Sequence, residues 1–208
     1  MTKIKICGIT NERDALGAVN LGVDALGFIF AESPRRVSPQ KVKKIVSLLP
    51  PFISLVGVFV NEDKKKVEEI ARYCSLTHLQ FHGEESPSYC QQFKERVIKA
   101  FRMKGEETLR EISQYKGVSA YLLDTYSLKK RGGTGELFDW KLAQKVKKRG
   151  VPIILAGGLN SENVDKAIAK VRPYAVDTSS GVERKEGEKD FQKMREFVRR
   201  VRKQDEIF

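Results

Sequence analysis

Cysteine and histidine are scarce in this chain. Its 208 residues include three cysteines, Cys7, Cys74 and Cys90, and only two histidines. Three scattered cysteines are too few for a disulfide framework, and they indicate a reducing compartment. Two histidines are too few for the cluster of histidine and aspartate ligands that a metal-dependent sugar epimerase needs, so we expect no metal ion.

Long apolar stretches are also absent. No run approaches the ~20 apolar residues that a membrane-spanning helix needs, and the first residues, MTKIK, carry no signal-peptide core. We therefore expect a cytoplasmic protein with no membrane partner. No linker, internal repeat or low-complexity tract divides the sequence, and we expect one domain over residues 1–208.

Positive charge is in excess, with 39 lysines and arginines against 27 acidic residues and a net charge of +12. Such an excess is compatible with a nucleic-acid surface, or with solvated helix faces that also attract an anionic substrate. The basic residues are spread over many predicted elements, and the aromatic interleaving of RNA-binding surfaces is missing. We therefore expect no nucleic-acid partner.

Short, mostly apolar runs alternate with helical patterns along the whole chain. The predicted strands are residues 4–7, 25–30, 55–60, 78–81, 97–101, 120–124, 153–156 and 175–177. Runs of this kind are typical of strands that are buried on both faces. Eight strands separated by helices predict an α/β fold, a single (β/α)8 TIM barrel with eight parallel strands. A doubly wound open sheet would need a Gly-x-Gly-x-x-Gly turn after the first strand, which is missing.

Capping residues mark where the helices begin. The predicted starts are Asn11, Ser38, Ser86, Asp139, Asn160 and about Asp190. Ser38 and Ser86 each precede a proline, which is favoured at the first helical position. The helix that follows Ser38 is predicted to end at Pro50.

The residues that end the strands of such a barrel face one mouth, where the chemistry of these folds is found. Cys7 ends the first predicted strand and Asp124 the sixth. A thiolate base and a carboxylic acid across one cavity are enough to move protons on a sugar carbon. Each also has a simpler interpretation, since a lone cysteine is often a small buried hydrophobe and an aspartate can cap a loop.

Other polar residues follow strands at the same mouth. Arg35 and Arg36 come after the second strand, and either could hold a carboxylate through a forked pair of hydrogen bonds or simply be surface charge. His82 follows the fourth strand. Asp177 ends the eighth, where it could accept from a hydroxyl or amine of a ligand or serve as a structural cap.

Two loops near the end of the chain have the features of a phosphate site. One contains Gly157 and Gly158, and the other contains Ser179, Ser180 and Gly181. Glycines let backbone N–H groups approach an anion, and barrels often bind phosphate after strands seven and eight. We expect a phosphorylated small-molecule ligand here, although both segments could be ordinary turns.

Eight segments in order resemble one family. They are KICGIT (5–10), GFIF (27–30), GVFVN (57–61), LQFHGE (79–84), LLD (122–124), GGTG (132–135), AGGLN (156–160) and VDTSSGVE (176–183). Together they are similar to phosphoribosylanthranilate isomerase over nearly the whole chain. The resemblance implies a (β/α)8 barrel of tryptophan biosynthesis that needs neither metal nor cofactor. Its reaction is an Amadori rearrangement of N-(5-phosphoribosyl)anthranilate to 1-(2-carboxyphenylamino)-1-deoxyribulose 5-phosphate.

The resemblance also implies roles for individual residues. Asp124 would be the general acid that protonates the furanose ring oxygen, and Cys7 the general base that then removes the C2′ proton. Arg35 aligns with the arginine that pairs with the anthranilate carboxylate, and Arg36 is the alternative. The other implied contacts are Gln80, His82 and Asp177 to the substrate, and Gly157, Gly158, Ser179, Ser180 and Gly181 to the phosphate.

Other functions stay open at this point. An indole-glycerol-phosphate synthase would need a catalytic lysine at a strand end, and none of the predicted ends carries one. A metal-dependent epimerase and a non-catalytic anion-binding or RNA-binding barrel are further alternatives.

The glycine-rich residues 131–135 are predicted to form a lid over the ligand. We expect a monomer or a homodimer.

Overall fold

Eight parallel strands close into a barrel in the computed structural model of the chain, which describes residues 1–124 and 140–207. The strands are β1 (Lys3–Cys7), β2 (Ala25–Ile29), β3 (Ser54–Phe59), β4 (His78–Phe81), β5 (Arg96–Arg102), β6 (Ala120–Asp124), β7 (Ile153–Ala156) and β8 (Ala175–Thr178). Each pairs in parallel with the next, and β8 returns to pair with β1. The predicted (β/α)8 barrel is confirmed.

Helices follow the strands around the outside of the barrel. They are α1 (Glu12–Asn20), α2 (Pro39–Val46), α3 (Lys64–Cys74), α4 (Pro87–Cys90), α5 (Glu106–Ile112), α6 (Trp140–Lys147), α7 (Val164–Val171) and α8 (Phe191–Asp205). Between β8 and α8 a 3-10 turn (Ser180–Val182) leads into a short antiparallel ribbon of β9 (Glu183–Lys185) and β10 (Glu188–Lys189). None of these helices is long and apolar enough to cross a membrane.

Most predicted helix starts coincide with observed caps. The side chains of Asn11, Ser38 and Ser86 accept from backbone N–H groups in the first turns of α1, α2 and α4. Two boundaries were wrong. The helix after Ser38 ends at Val46 instead of Pro50, and α7 begins after Asn163, because residues 160–163 form a separate turn that the Asn163 side chain closes by accepting from the Asn160 N–H. The predicted start at Asp139 lies outside the described residues.

Alternation along the strands divides the side chains into two layers. One set packs between the sheet and the helices, and includes Ile4 and Ile6 of β1. The barrel interior is filled by Val56, Ile98, Ala100, Ala120, Leu122, Ile154, Ala156 and Ala175. Each fully buried aliphatic side chain contributes roughly 1.5–3 kcal/mol to folding. Because Ile4 and Ile6 face outward, Lys5 and Cys7 of the same strand face into the barrel.

Candidate active site

A pocket of about 300 Å³ lies at the carboxyl ends of the barrel strands. It is lined by Cys7, Ile29, Arg35, Val58, Gln80, His82, Asp124, Ala156, Gly157, Gly158, Leu159, Asp177, Thr178, Ser179, Ser180 and Gly181. This is the mouth at which barrels of this class carry their chemistry. Most predicted site residues therefore come together in one place.

Cys7 ends β1 and is 7% exposed. Its neighbour across the sheet is Gly27 of β2, and a Cβ atom at that position would lie 2.7 Å from Cys7 Sγ. The absence of a side chain at Gly27 thus makes room for the thiol. Burial raises the pKa of Cys7, and the Lys5 ammonium opposes that rise.

Lys5 and Asp177 form an ion pair inside the barrel, beneath the pocket. Lys5 Nζ lies 2.9 Å from Asp177 Oδ1, and both side chains are almost fully buried. The pair follows from register, because Lys5 of β1 stands opposite Asp177 of β8. Burial lowers the pKa of Lys5, but the Asp177 carboxylate and the Cys7 thiol together outweigh burial, and the pKa is raised overall.

Asp124 ends β6 and is linked to β4 through a histidine. His82 Nε2 lies 3.2 Å from Asp124 Oδ2, and His82 Nδ1 lies 3.2 Å from Gln80 Nε2. Since an amide nitrogen can only donate, this orientation of Gln80 makes Nδ1 the acceptor and leaves the ring proton on Nε2, directed at Asp124. Gln80 Oε1 is buried and has no hydrogen-bond partner among the described residues.

Arg35 lies on the segment between β2 and α2 and is held by a carboxylate of β9. Its Nε and Nη2 donate to the two carboxylate oxygens of Glu183 at 2.8 and 2.7 Å. Lys189 donates to the same carboxylate at 2.8 Å. Burial alone would raise the pKa of Glu183, but the hydrogen bonds from Arg35 and Lys189 outweigh it and the pKa is lowered.

Arg36 has a different environment from Arg35. It is exposed and is not among the pocket-lining residues. Its backbone forms a bridge with Ile29 and its N–H donates to Ser33. Of the two arginines, only Arg35 is brought to the mouth.

The two glycine-containing loops after β7 and β8 pack directly against each other. Thr178 Oγ1 donates to the Leu159 carbonyl at 2.6 Å. A Cβ atom on Gly181 would lie 2.0 Å from that same oxygen, so only glycine allows this approach. Gly157 and Gly158 have positive φ values of 87° and 69°, which L side chains rarely adopt. The loops thus form one continuous backbone surface on the pocket wall.

Nearly the whole chain is similar to proteins of one family. The model of the family described as N-(5'phosphoribosyl)anthranilate (PRA) isomerase matches residues 4–200. The chain belongs to this isomerase family. An N-(5'-phosphoribosyl)anthranilate isomerase of Citrifermentans bemidjiense is 53% identical over 204 residues, which are 98% of each protein. That of Trichlorobacter lovleyi is 50% identical over 203 residues, 97% of this chain and 98% of the relative.

Solved isomerase structures share the fold. The crystal structure of phosphoribosyl anthranilate isomerase from Thermotoga maritima has a TM-score of 0.91 and 42% identity, covering 98% of this chain and all of the other. A second structure, with a TM-score of 0.89, 40% identity and the same coverage, is a complex with reduced 1-(o-carboxyphenylamino)-1-deoxyribulose 5-phosphate. The predicted membership in the phosphoribosylanthranilate isomerase family is confirmed.

Three charged residues next to the pocket were not among the predicted site residues. Lys5 could have been found, because it lies two residues before Cys7 and must share its strand face. Glu183 and Lys189 gave no such signal, since their contact with Arg35 depends on the ribbon after β8. None of the eight barrel strands ends at a lysine, but Lys5 lies two residues before the end of β1, and Lys189 ends β10 beside the pocket. Family membership, and not the absence of a lysine, therefore argues against the synthase.

Other site predictions concern a metal and a lid. No group of three or more His, Cys, Asp or Glu side chains suited to a metal ion occurs within residues 1–124 and 140–207. The predicted lid, residues 131–135, lies outside the described residues.

Proposed function

We propose that this chain converts N-(5'-phosphoribosyl)anthranilate to 1-(2-carboxyphenylamino)-1-deoxyribulose 5-phosphate, a step of tryptophan biosynthesis. The observation that carries the proposal is the meeting of Cys7 of β1 and Asp124 of β6 in the pocket that Arg35 and the two glycine loops also line. A related isomerase binds a reduced form of this product. That ligand has a carboxylate at one end and a phosphate at the other.

Asp124 is the general acid in the proposed mechanism. Its proton passes to the furanose ring oxygen, the bond between that oxygen and C1′ breaks, and the anilino nitrogen supplies the electron pair that forms an iminium. His82, 3.2 Å from Oδ2, holds the carboxyl group in the pocket. General acid–base groups of this kind contribute ~10²–10⁴-fold to the rate.

Cys7 is the general base for the second proton transfer. The iminium acidifies the adjacent carbon, so a thiolate of modest basicity can remove the C2′ proton. The resulting enolamine takes a proton at C1′ while its C2′ hydroxyl becomes the ketone. Substrate and product are isomers, so the two transfers need no oxidant, reductant or cofactor.

The two ends of the substrate are proposed to bind to different groups of the pocket. Arg35 donates from Nε and Nη2 to Glu183. Its Nη1 has no partner among the described residues, so this group can donate to the anthranilate carboxylate. The phosphate is assigned to the backbone of Gly157, Gly158, Ser179, Ser180 and Gly181. Positive φ at the glycines and the positive charge of nearby Lys189 both favour an anion there.

Substrate hydroxyls are assigned to the polar side chains between these ends. Gln80 Oε1 is a buried acceptor that a ligand hydroxyl would satisfy, and an unsatisfied buried polar group costs roughly 1–3 kcal/mol. Asp177 already holds Lys5 through Oδ1, so only its other oxygen remains for a ligand.

A fluorescence assay tests the proposed function. Purified protein added to freshly prepared phosphoribosylanthranilate should abolish the anthranilate-type fluorescence of the adduct as product forms. Cys74→Ala is the matched control, because Cys74 is buried on α3 away from the pocket and should not affect turnover. No decay of fluorescence at micromolar enzyme would refute the proposal.

The chain is further proposed to act in the cytoplasm as one domain, as a monomer or homodimer. A solved structure that is 39% identical is described as monomers generated from the dimeric isomerase of Thermotoga maritima. Sedimentation of the purified protein distinguishes the two states.

A further inference from the structure

The buried ion pair of Lys5 and Asp177 lies directly beneath Cys7. Lys5 shares the inward face of β1 with Cys7, two residues away. The Lys5 and Asp177 side chains are 3% and 8% exposed. Apolar residues of similar volume would fill such a position at no loss of stability, because a buried ion pair barely repays its desolvation. The charges therefore need an explanation other than folding.

Four charged groups act on the Cys7 thiol. They are Lys5 of β1, Asp177 of β8, Lys189 of β10 and Arg35 of the segment after β2. Lys189 donates hydrogen bonds to Glu183 and to the Ser179 carbonyl, and Arg35 donates to the Glu183 carboxylate. Lys5 donates to Asp177 and also interacts with Cys7 itself, and it is the cation with the largest effect on the pKa of the thiol.

We infer that Lys5 is a positioning residue for Cys7. Its ammonium stabilises the thiolate that removes the substrate proton, and the negative charge of Asp177 partly offsets that stabilisation. The catalytic consequence rests on the proposed isomerase function. The electrostatic effect itself belongs to the free protein, so it can be measured without substrate.

Lys5 and Asp177 have opposite effects on the pKa of Cys7. Burial disfavours the thiolate and raises the pKa of Cys7, Lys5 lowers it, and Asp177 raises it. Removing the lysine charge should therefore move Cys7 ionisation to higher pH, by about one unit or more. Removing the aspartate charge should move it to lower pH. A residue that only supports the fold would produce neither shift.

The test is the pH dependence of Cys7 alkylation by iodoacetamide in the full chain, followed by peptide mass spectrometry. Cys74 and Cys90 serve as internal standards, because burial raises the pKa of each to about 11. The variants are Lys5→Met, Lys5→Arg as the charge-conserving control, and Asp177→Asn. We expect the midpoint for Cys7 to rise in Lys5→Met, to stay near wild type in Lys5→Arg, and to fall in Asp177→Asn.

Lys5→Met leaves a buried carboxylate unpaired and could fail to fold, so Lys5→Met/Asp177→Asn is the second variant. Its midpoint should still lie above wild type, because the effect of Lys5 on the thiol exceeds that of Asp177. Equal midpoints in wild type and the folded charge-removing variants would overturn the inference. If the variants shift the Cys7 midpoint but the wild-type protein turns over no phosphoribosylanthranilate, the inference is supported and the proposed function is refuted.

Discussion

Replacing Gly27 by alanine should move the catalytic base without removing it. Gly27 stands opposite Cys7 in the β1–β2 pairing. The added Cβ would lie 2.7 Å from Cys7 Sγ and 3.0 Å from its Cα. Non-bonded heavy atoms are most stable at ~3.5–4.0 Å, so the sulfur must move by about 1 Å.

A displacement of this size has a large expected effect on the reaction. Misplacing a reacting group by ~1 Å can lower a rate by ~10²-fold. The crowding itself should destabilise the barrel by about 1–3 kcal/mol. We therefore expect Gly27→Ala to be folded, with kcat/KM reduced by roughly two orders of magnitude.

The measurement is steady-state turnover by fluorescence, with thermal unfolding followed in parallel. Gly17→Ala is the matched control, because Gly17 lies on α1 and the nearest atom to its new Cβ would be 3.4 Å away, on Phe191. This variant should keep full activity and gain up to ~1 kcal/mol of stability from better helix propensity. Equal turnover by folded Gly27→Ala and Gly17→Ala would refute the assigned geometry of the base.

The remaining predictions concern the acid, the base and the two ends of the ligand. Cys7→Ala and Asp124→Asn should each lower kcat by ~10²–10⁴-fold with the fold retained by circular dichroism, and a loss below about tenfold would refute the role concerned. Arg35→Ala should weaken binding of a carboxyphenylamino product analogue by ~10–100-fold, measured by calorimetry, with inorganic phosphate little affected. If Arg36→Ala gives that selective loss instead, Arg36 is the clamp. Gly158→Pro should instead weaken the binding of inorganic phosphate, because proline removes a backbone donor.

The barrel could be predicted because its signals are local. Several strands are short, mostly apolar runs, and β4, β6 and β7 have the predicted bounds. Strand ends in a parallel barrel share one mouth, so placing Cys7 and Asp124 at strand ends was enough to predict that they line one pocket. A helix boundary is harder to predict where two neighbouring residues could both cap the helix. Asn160 and Asn163 are three residues apart, and each could begin α7.

The charged contacts of the site could not be predicted because they depend on tertiary register. Asp177 was left open between a ligand contact and a structural cap, and the structure pairs it with Lys5 only through the β1–β8 alignment. The choice between Arg35 and Arg36 likewise needed the bridge at Ile29, which places Arg36 outside the pocket. Which arginine binds the carboxylate stays a prediction.

The central claim is that Cys7 and Asp124 together isomerise phosphoribosylanthranilate. The most direct measurement compares fluorescence decay of fresh substrate with wild-type protein, Cys7→Ala and Asp124→Asn at equal concentrations. We predict rapid decay with the wild type and a loss of ~10²-fold or more with each variant. A wild-type protein that leaves the fluorescence unchanged, or variants as fast as the wild type, would contradict the claim.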